Sequence, residues 1–163
     1  VSLALFLPAY IMAPTFTAVY EQAVEPLINE QIDETEAFNR ASVPMKAFMI
    51  SQVRDDDVVL FHDLAGTPLP ENITDVELTK LIPAFIISEL RRAFEIAFLV
   101  YLPFIIIDMV IASTLMSMGM MMLPPVMISL PFKIIFFVLV DGWRLVVGSL
   151  VQSFGTAPPA TLG

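Results

Sequence analysis

Between Ile96 and Phe132 the chain carries one charged residue, Asp108. Wound as a single helix, that run would be about 55 Å long, against roughly 30 Å for the hydrocarbon layer of a bilayer. It has to turn back, and the turning point is marked. The stretch "GMMMLPPVMISLPFKIIFF", from Gly119 to Phe137, sets three consecutive methionines before a double proline. Pro124 and Pro125 remove two backbone donors and push Leu123 out of the helical region. The pattern predicts a helical hairpin. A long helix spans 83–123, a proline-rich turn beside the methionines covers 124–131, and a return helix covers 132–154. The small, Pro-rich residues 155–163 read as a frayed tail.

The rest of the chain divides by charge. Of 163 residues, 57% are hydrophobic, above the 45–50% usual for soluble domains. The net charge of −9 is concentrated between Glu21 and Lys80, which hold 13 of the 17 acidic and 4 of the 8 basic residues. Residues 1–20 are uncharged and long enough for a membrane-spanning or assembly-buried helix, kinked at Pro8 and Pro14. Val1 lies inside that run with no basic stretch before it, so the run does not read as an intact signal peptide. The acidic segment, 21–82, reads as extracytoplasmic because its Lys and Arg are sparse. Such a surface repels phosphates, which excludes nucleic acid as a partner. With no cysteine, disulfides, thiolate metal sites and cysteine nucleophiles are excluded.

Inside the acidic segment the expectations are local. Ser42 is placed to cap a helix with Pro44 in its first turn, and Met45, Phe48, Met49 and Val53 form one apolar stripe. Asp55, Asp56 and Asp57 open a helix and complement its dipole, with Gly66 closing it. Their spacing lacks the alternating ligands of a calcium loop. Thr74 and Glu77 have capping-box spacing. Pro83 is placed to open the long helix, and Arg91 and Glu95 to pair at i,i+4. The lone histidine, His62, reads as solvated or bonded to a neighbour such as Asp63. Catalysis would need a positioned partner as well. No clustered acid, base, nucleophile or metal ligand points to an enzyme, and no cofactor is expected.

Four charges stand inside apolar helices: Asp108, Lys133, Asp141 and Arg144. A charge at bilayer depth costs several kcal/mol or more, so such residues face protein and pair. Asp141 and Arg144, three apart, are expected to pair locally. Asp108 and Lys133 stand about 15 residues before and 8 after Met122–Pro125, so they do not lie level across an ideal hairpin. Lys133 is therefore expected to meet Asp108 or Glu89 of a neighbouring copy, or to snorkel to a polar boundary.

The segments "IIDMVIAS", "GMMMLPP", "LPFKIIFFVLVDGW", "VGSLVQSF" and "PAFIISELRRAFEIAF" closely resemble the FliP family of flagellar export-gate proteins. The resemblance covers nearly the whole chain. Members of that family usually carry a signal sequence and a further apolar segment ahead of "LALFLPAYIMAP", which are not among these residues. The resemblance implies an all-α protein. It would consist of membrane-associated helical hairpins with a small acidic helical extracytoplasmic segment, assembling into a ring or helical oligomer. It implies FliQ-like and FliR-like partners, the bacterial inner membrane with its periplasmic side at the flagellar basal body, and passage of unfolded export substrates through a pore. The loop carrying Met120, Met121 and Met122 would line its constriction.

The chemistry of that loop agrees with the implied role. An apolar constriction blocks ions by dewetting, without any charge. Methionine is unbranched and pliable, so it fills gaps when the pore is closed and folds aside when it opens. Pro124 and Pro125 keep the loop out of the helix, and Gly119 permits an unusual turn on its other side. The bland reading makes these methionines ordinary core or lipid-facing residues. A thioether site for Cu(I) would lack the usual His or Cys company. The alternative function is a small-molecule transporter or ion-channel subunit, which would show polar groups at a midplane site.

Overall fold

The computed structural model describes residues 1–119 and 124–155, and these are helical throughout their ordered elements. They fall into two compact units, Val1–Arg92 and the chain from Ala93 onward.

In the first unit, α1 (Ser2–Val19) continues through a π-turn (Tyr20–Val24) into α2 (Glu25–Ile28). The helix thus passes Pro8 and Pro14 and runs beyond residue 20, past the first two acids, to a length of 27 residues. α3 (Glu34–Gln52) packs along α1 and the π-turn. It starts eight residues before the expected cap. Asp33 is the N-cap, accepting a 2.7 Å bond from the Glu36 amide, while Ser42 donates to the Asn39 carbonyl inside the helix. The capping aspartate and the acids of the first turn offset part of the cost of the interior Pro44, and the packing of α3 along α1 supplies more.

α4 (Asp55–Leu64) opens on its three aspartates and ends before Gly66, whose φ of +62° suits a residue without Cβ. Residues 73–75 form a 3₁₀ turn, so Thr74 caps nothing. Glu77 turns forward instead, 3.3 Å from Lys80. The hydrogen bond from Lys80 holds the Glu77 carboxyl below the usual carboxylate range.

α5 (Leu78–Ser117) begins five residues before Pro83. Leu81 and Ala84, on either side of that proline, are fully buried in a core with Met49, Val58 and Val76. Burying Leu81 is worth about 2 kcal/mol, which offsets much of the cost of the missing donor. Met49 and Val53 of the expected stripe join this cluster, and Phe48 meets Phe85 edge-on at 6.0 Å.

A polar clamp fastens α5 to α4 and α3. Asp57 is buried, and its carboxylate accepts from Ser88 Oγ at 2.7 Å. The guanidinium of Arg91 lies 3.4 Å from the other oxygen, and the Arg54 amide donates to Ser88 Oγ. Arg91 thus reaches across to α4. Arg92 donates to the side chain and the carbonyl of Gln52, placing a cation at the end of α3. His62 is buried, not solvated, with Nδ1 2.9 Å from the Val58 carbonyl.

In the second unit the return path is two helices, α6 (Pro125–Leu139) and α7 (Gly142–Ser153), bent by 60°. The turn expected over 124–131 is helical from Pro125. Pro124 is the extended N-cap residue, Pro125 takes the first helical position that proline favours, and Pro131 lies inside the helix. At the bend, Asp141 adopts φ +51°, ψ +51°. Phe104 of α5 faces Phe136 and Phe137 at 6.3 Å each, and Phe137 meets Trp143 edge-on at 5.2 Å. A Cβ on Gly142 would collide with the Phe137 ring.

Two substitutions test this packing. Asp57→Ala should lower stability by about 2 kcal/mol, because it leaves the buried Ser88 hydroxyl without its acceptor and Arg91 without its carboxylate. Asp57→Asn, which keeps an acceptor for Ser88, should cost less in thermal unfolding. Gly142→Ala should cost about 1–3 kcal/mol through overpacking. It should also shift the emission of Trp143, the chain's only tryptophan.

Candidate functional site

Met120, Met121 and Met122 lie outside the described residues; the helix ends on either side are described. On one side α5 ends at Ser117, and Gly119 follows with φ +73°. The Gly119 amide bonds to the Met116 carbonyl, the left-handed helix ending that glycine permits. Ser113, Thr114 and Ser117 each turn back onto α5 carbonyls. On the other side Pro124 and Pro125 start α6.

Below these rims the hairpin is pinned. Lys133 Nζ lies 2.6 Å from Asp108 Oδ2, and Ser129 Oγ donates to Asp108 Oδ1 at 2.5 Å. Ser129 is completely buried, while Asp108 and Lys133 are largely covered. The pair forms within one chain, which corrects the expectation of a partner on a neighbouring copy. The reason is where the helices end. α5 stops at Ser117, not 123, and α6 starts at Pro125, not 132. Asp108 is then nine residues before one rim and Lys133 eight after the other. At 1.5 Å per residue these depths differ by about 1.5 Å, so the two residues lie level. Sequence reasoning missed Ser129, although its i,i+4 spacing from Lys133 places both on one helix face.

The other named charges behave differently. Glu89 belongs to the first unit and lies 3.1 Å from Arg92. Asp141 and Arg144 are exposed, and no ion pair joins them among the described residues. Asp141 is outside α7 in a left-handed conformation, so the helical i,i+3 geometry that would bring the two together does not apply.

The apolar helices are little covered by the chain itself. Ser2–Ile28 and α5 are each long and apolar enough to cross a membrane, and the bent pair α6–α7 makes a third such element if counted as one. In the most apolar stretch of α5 no residue is buried, and in that of Ser2–Ile28 only 6% are. Helices of this kind require lipid or other protein around them.

These features define a class: an all-helical protein with two to three spans of apolar helix, one pair of which is locked by an internal charge. Residues 1–150 match the sequence model of the FliP family, and the chain belongs to that family. It is 60% identical to the flagellar biosynthetic protein FliP of Caulobacter vibrioides, over 94% of this chain and 58% of that protein. The FliP protein of Bacillus subtilis is 56% identical, over 94% of this chain and 70% of its own length. That of Rhizobium meliloti is 53% identical, with 94% and 64% covered. The chain thus spans about three fifths to seven tenths of these relatives.

Reversing either member of the pin, by Asp108→Lys or Lys133→Asp, should cut the yield of protease-resistant protein in membrane extracts several-fold. Exchanging both in one chain should restore most of it. Co-expressing the two single variants should not, because the pair is made within a chain.

Proposed function

We propose that this chain is a structural, pore-forming subunit of the flagellar protein-export gate. Several copies stand around a channel with FliQ-like and FliR-like subunits, at the inner membrane and its periplasmic side. Unfolded flagellar subunits thread through it. The observation that carries this reading is the pinned hairpin, whose two helix ends bracket Met120–Met122. The Asp108–Lys133 contact sets both ends at one level, so the intervening segment leaves and returns at fixed points. The names of the relatives, all flagellar biosynthetic proteins, support the same reading.

In this proposal the three methionines form a seal. Thioether side chains arranged around an axis dewet the channel when it is empty, which stops ions without a charged barrier. Their soft torsions let them fold aside as a polypeptide passes. Gly119, Pro124 and Pro125 fix where the segment begins and ends. The acidic segment 21–82 stands on the extracytoplasmic side, and the exposed apolar faces of α1 and α5 are covered by neighbouring subunits.

The test is conductance. Replacing Met120, Met121 and Met122 together by alanine should leave the extracted complex at its normal mass. The resting channel should then pass small ions at least about tenfold faster across a bilayer. A mutant complex of normal mass with unchanged conductance would remove the methionines from the seal.

A further inference from the structure

The bend between α6 and α7 presents two charges that pair with nothing among the described residues. Asp141 holds the N-cap position of α7, where an aspartate ordinarily accepts a bond from an amide of the first turn. Here its side chain caps nothing, and its backbone is left-handed. That conformation costs a residue with a Cβ on the order of 1–2 kcal/mol. Arg144, on the first turn of α7, is equally without a hydrogen bond or ion pair among the described residues. Both line one shallow hollow with Val140, Leu145, Gly148, Ser149 and Gln152.

The setting is apolar. Leu139 is 79% exposed, Trp143 69% and Leu145 59%. An exposed rim of large apolar residues is a surface to be covered. Covering it with lipid tails or with an apolar protein face would strand both charges, at several kcal/mol or more. One cover avoids this cost. The hollow carries a carboxylate and a guanidinium that do not pair with each other among the described residues, so the patch is complementary to a second copy of itself. A second copy set head-to-tail brings the Asp141 of one chain to the Arg144 of the next. Repeated around an axis, that contact satisfies every such charge in a closed ring.

We infer that Asp141 and Arg144 form an ion pair between adjacent copies of this chain, and that the bend at Val140–Gly142 exists to present it. This rests on the ring of copies proposed above. The exchange is directional: each copy gives its carboxylate to one neighbour and its guanidinium to the other. The left-handed Asp141 frees the carboxylate from α7, and the tight Gly142–Phe137 contact holds the angle.

The full-length protein has to be used, extracted in detergent with its complex intact. The residues described here contain no cysteine, so single cysteines introduced into them report cleanly. Copies carrying Asp141→Cys are co-expressed with differently tagged copies carrying Arg144→Cys, and oxidised. Disulfide-linked dimers containing both tags are expected, with none from either variant alone. In parallel, Asp141→Arg and Arg144→Asp should each reduce assembled complex roughly tenfold, and the double exchange should recover it. Native mass spectrometry gives the copy number throughout. Rings of normal copy number without mixed dimers, and indifferent to Asp141→Asn with Arg144→Gln, would overturn the pair and leave the ring standing. Absence of any multi-copy complex in the wild type would instead overturn the ring itself. An anionic phospholipid retained by the wild type and lost in Arg144→Gln would assign the guanidinium to a headgroup and also overturn the pair.

Discussion

One ion pair fixes the geometry of the second unit. Asp108 and Lys133 meet across α5 and α6, with Ser129 bonding the second carboxylate oxygen. Apolar contacts do little to set the register of two helices like these, because leucine, isoleucine and phenylalanine pack about equally well after a shift of one turn. Where the surroundings are as apolar as the helices, burial also gives no preference for one face over another. A charge pair is different. Sliding α6 by one turn, about 5.4 Å, would leave both charges unpaired in an apolar setting. The ring contacts of Phe104 with Phe136 and Phe137 follow from the level that the pair sets.

The first unit solves another problem with the same means. Its core is small, with Met49, Val58, Val76, Leu81 and Ala84 as its buried apolar members. What fastens α5 to it is the buried Asp57, shared between Ser88 and Arg91, and the two bonds from Arg92 to the end of α3. Buried polar contacts contribute modestly to net stability and strongly to uniqueness, since any other arrangement leaves them unmet. Both units therefore rely on directional contacts, while their large apolar surfaces remain available for lipid or neighbouring protein.

Much of this could be read from the residues, and the failures share a cause. The all-helical character, the apolar spans, the hairpin and the acidic start of α4 follow from charge spacing and turn residues. By the proline rules Pro44, Pro83 and Pro131 each mark a helix start or a turn, yet each lies inside a helix or its early turns. A proline rule counts one lost bond. It does not count Asp33 capping from eleven residues upstream, or Leu81 and Ala84 buried beside Pro83. Those errors then moved the rims of the hairpin, and a miscounted rim turned an internal pair into one between copies. Asp57 shows a further limit: position at a helix start explained it well enough that nothing in the sequence pointed to Ser88, 31 residues away. Left-handed Asp141 has no sequence signature beyond the glycine that follows it.

The 40 residues of α5 serve two environments, and the division is visible along it. At 1.5 Å per residue the helix is about 60 Å long, twice the thickness of a hydrocarbon layer. Its first part, to Arg92, is occupied by the core and the polar clamp of the first unit. From Ala93 to Ser117 there remain 25 residues, about 37 Å, which suits a single tilted crossing or an equally apolar protein interior. The charged group Glu89, Arg91, Arg92 and Glu95 falls where the polar clamp ends along the helix. Asp108 is the lone charge beyond it. The helix therefore needs one internal partner for one internal charge, and Lys133 on the returning helix α6 supplies it. The pair sits well inside this apolar stretch, nine and eight residues from the helix ends, where an unpaired charge would have no water to reach.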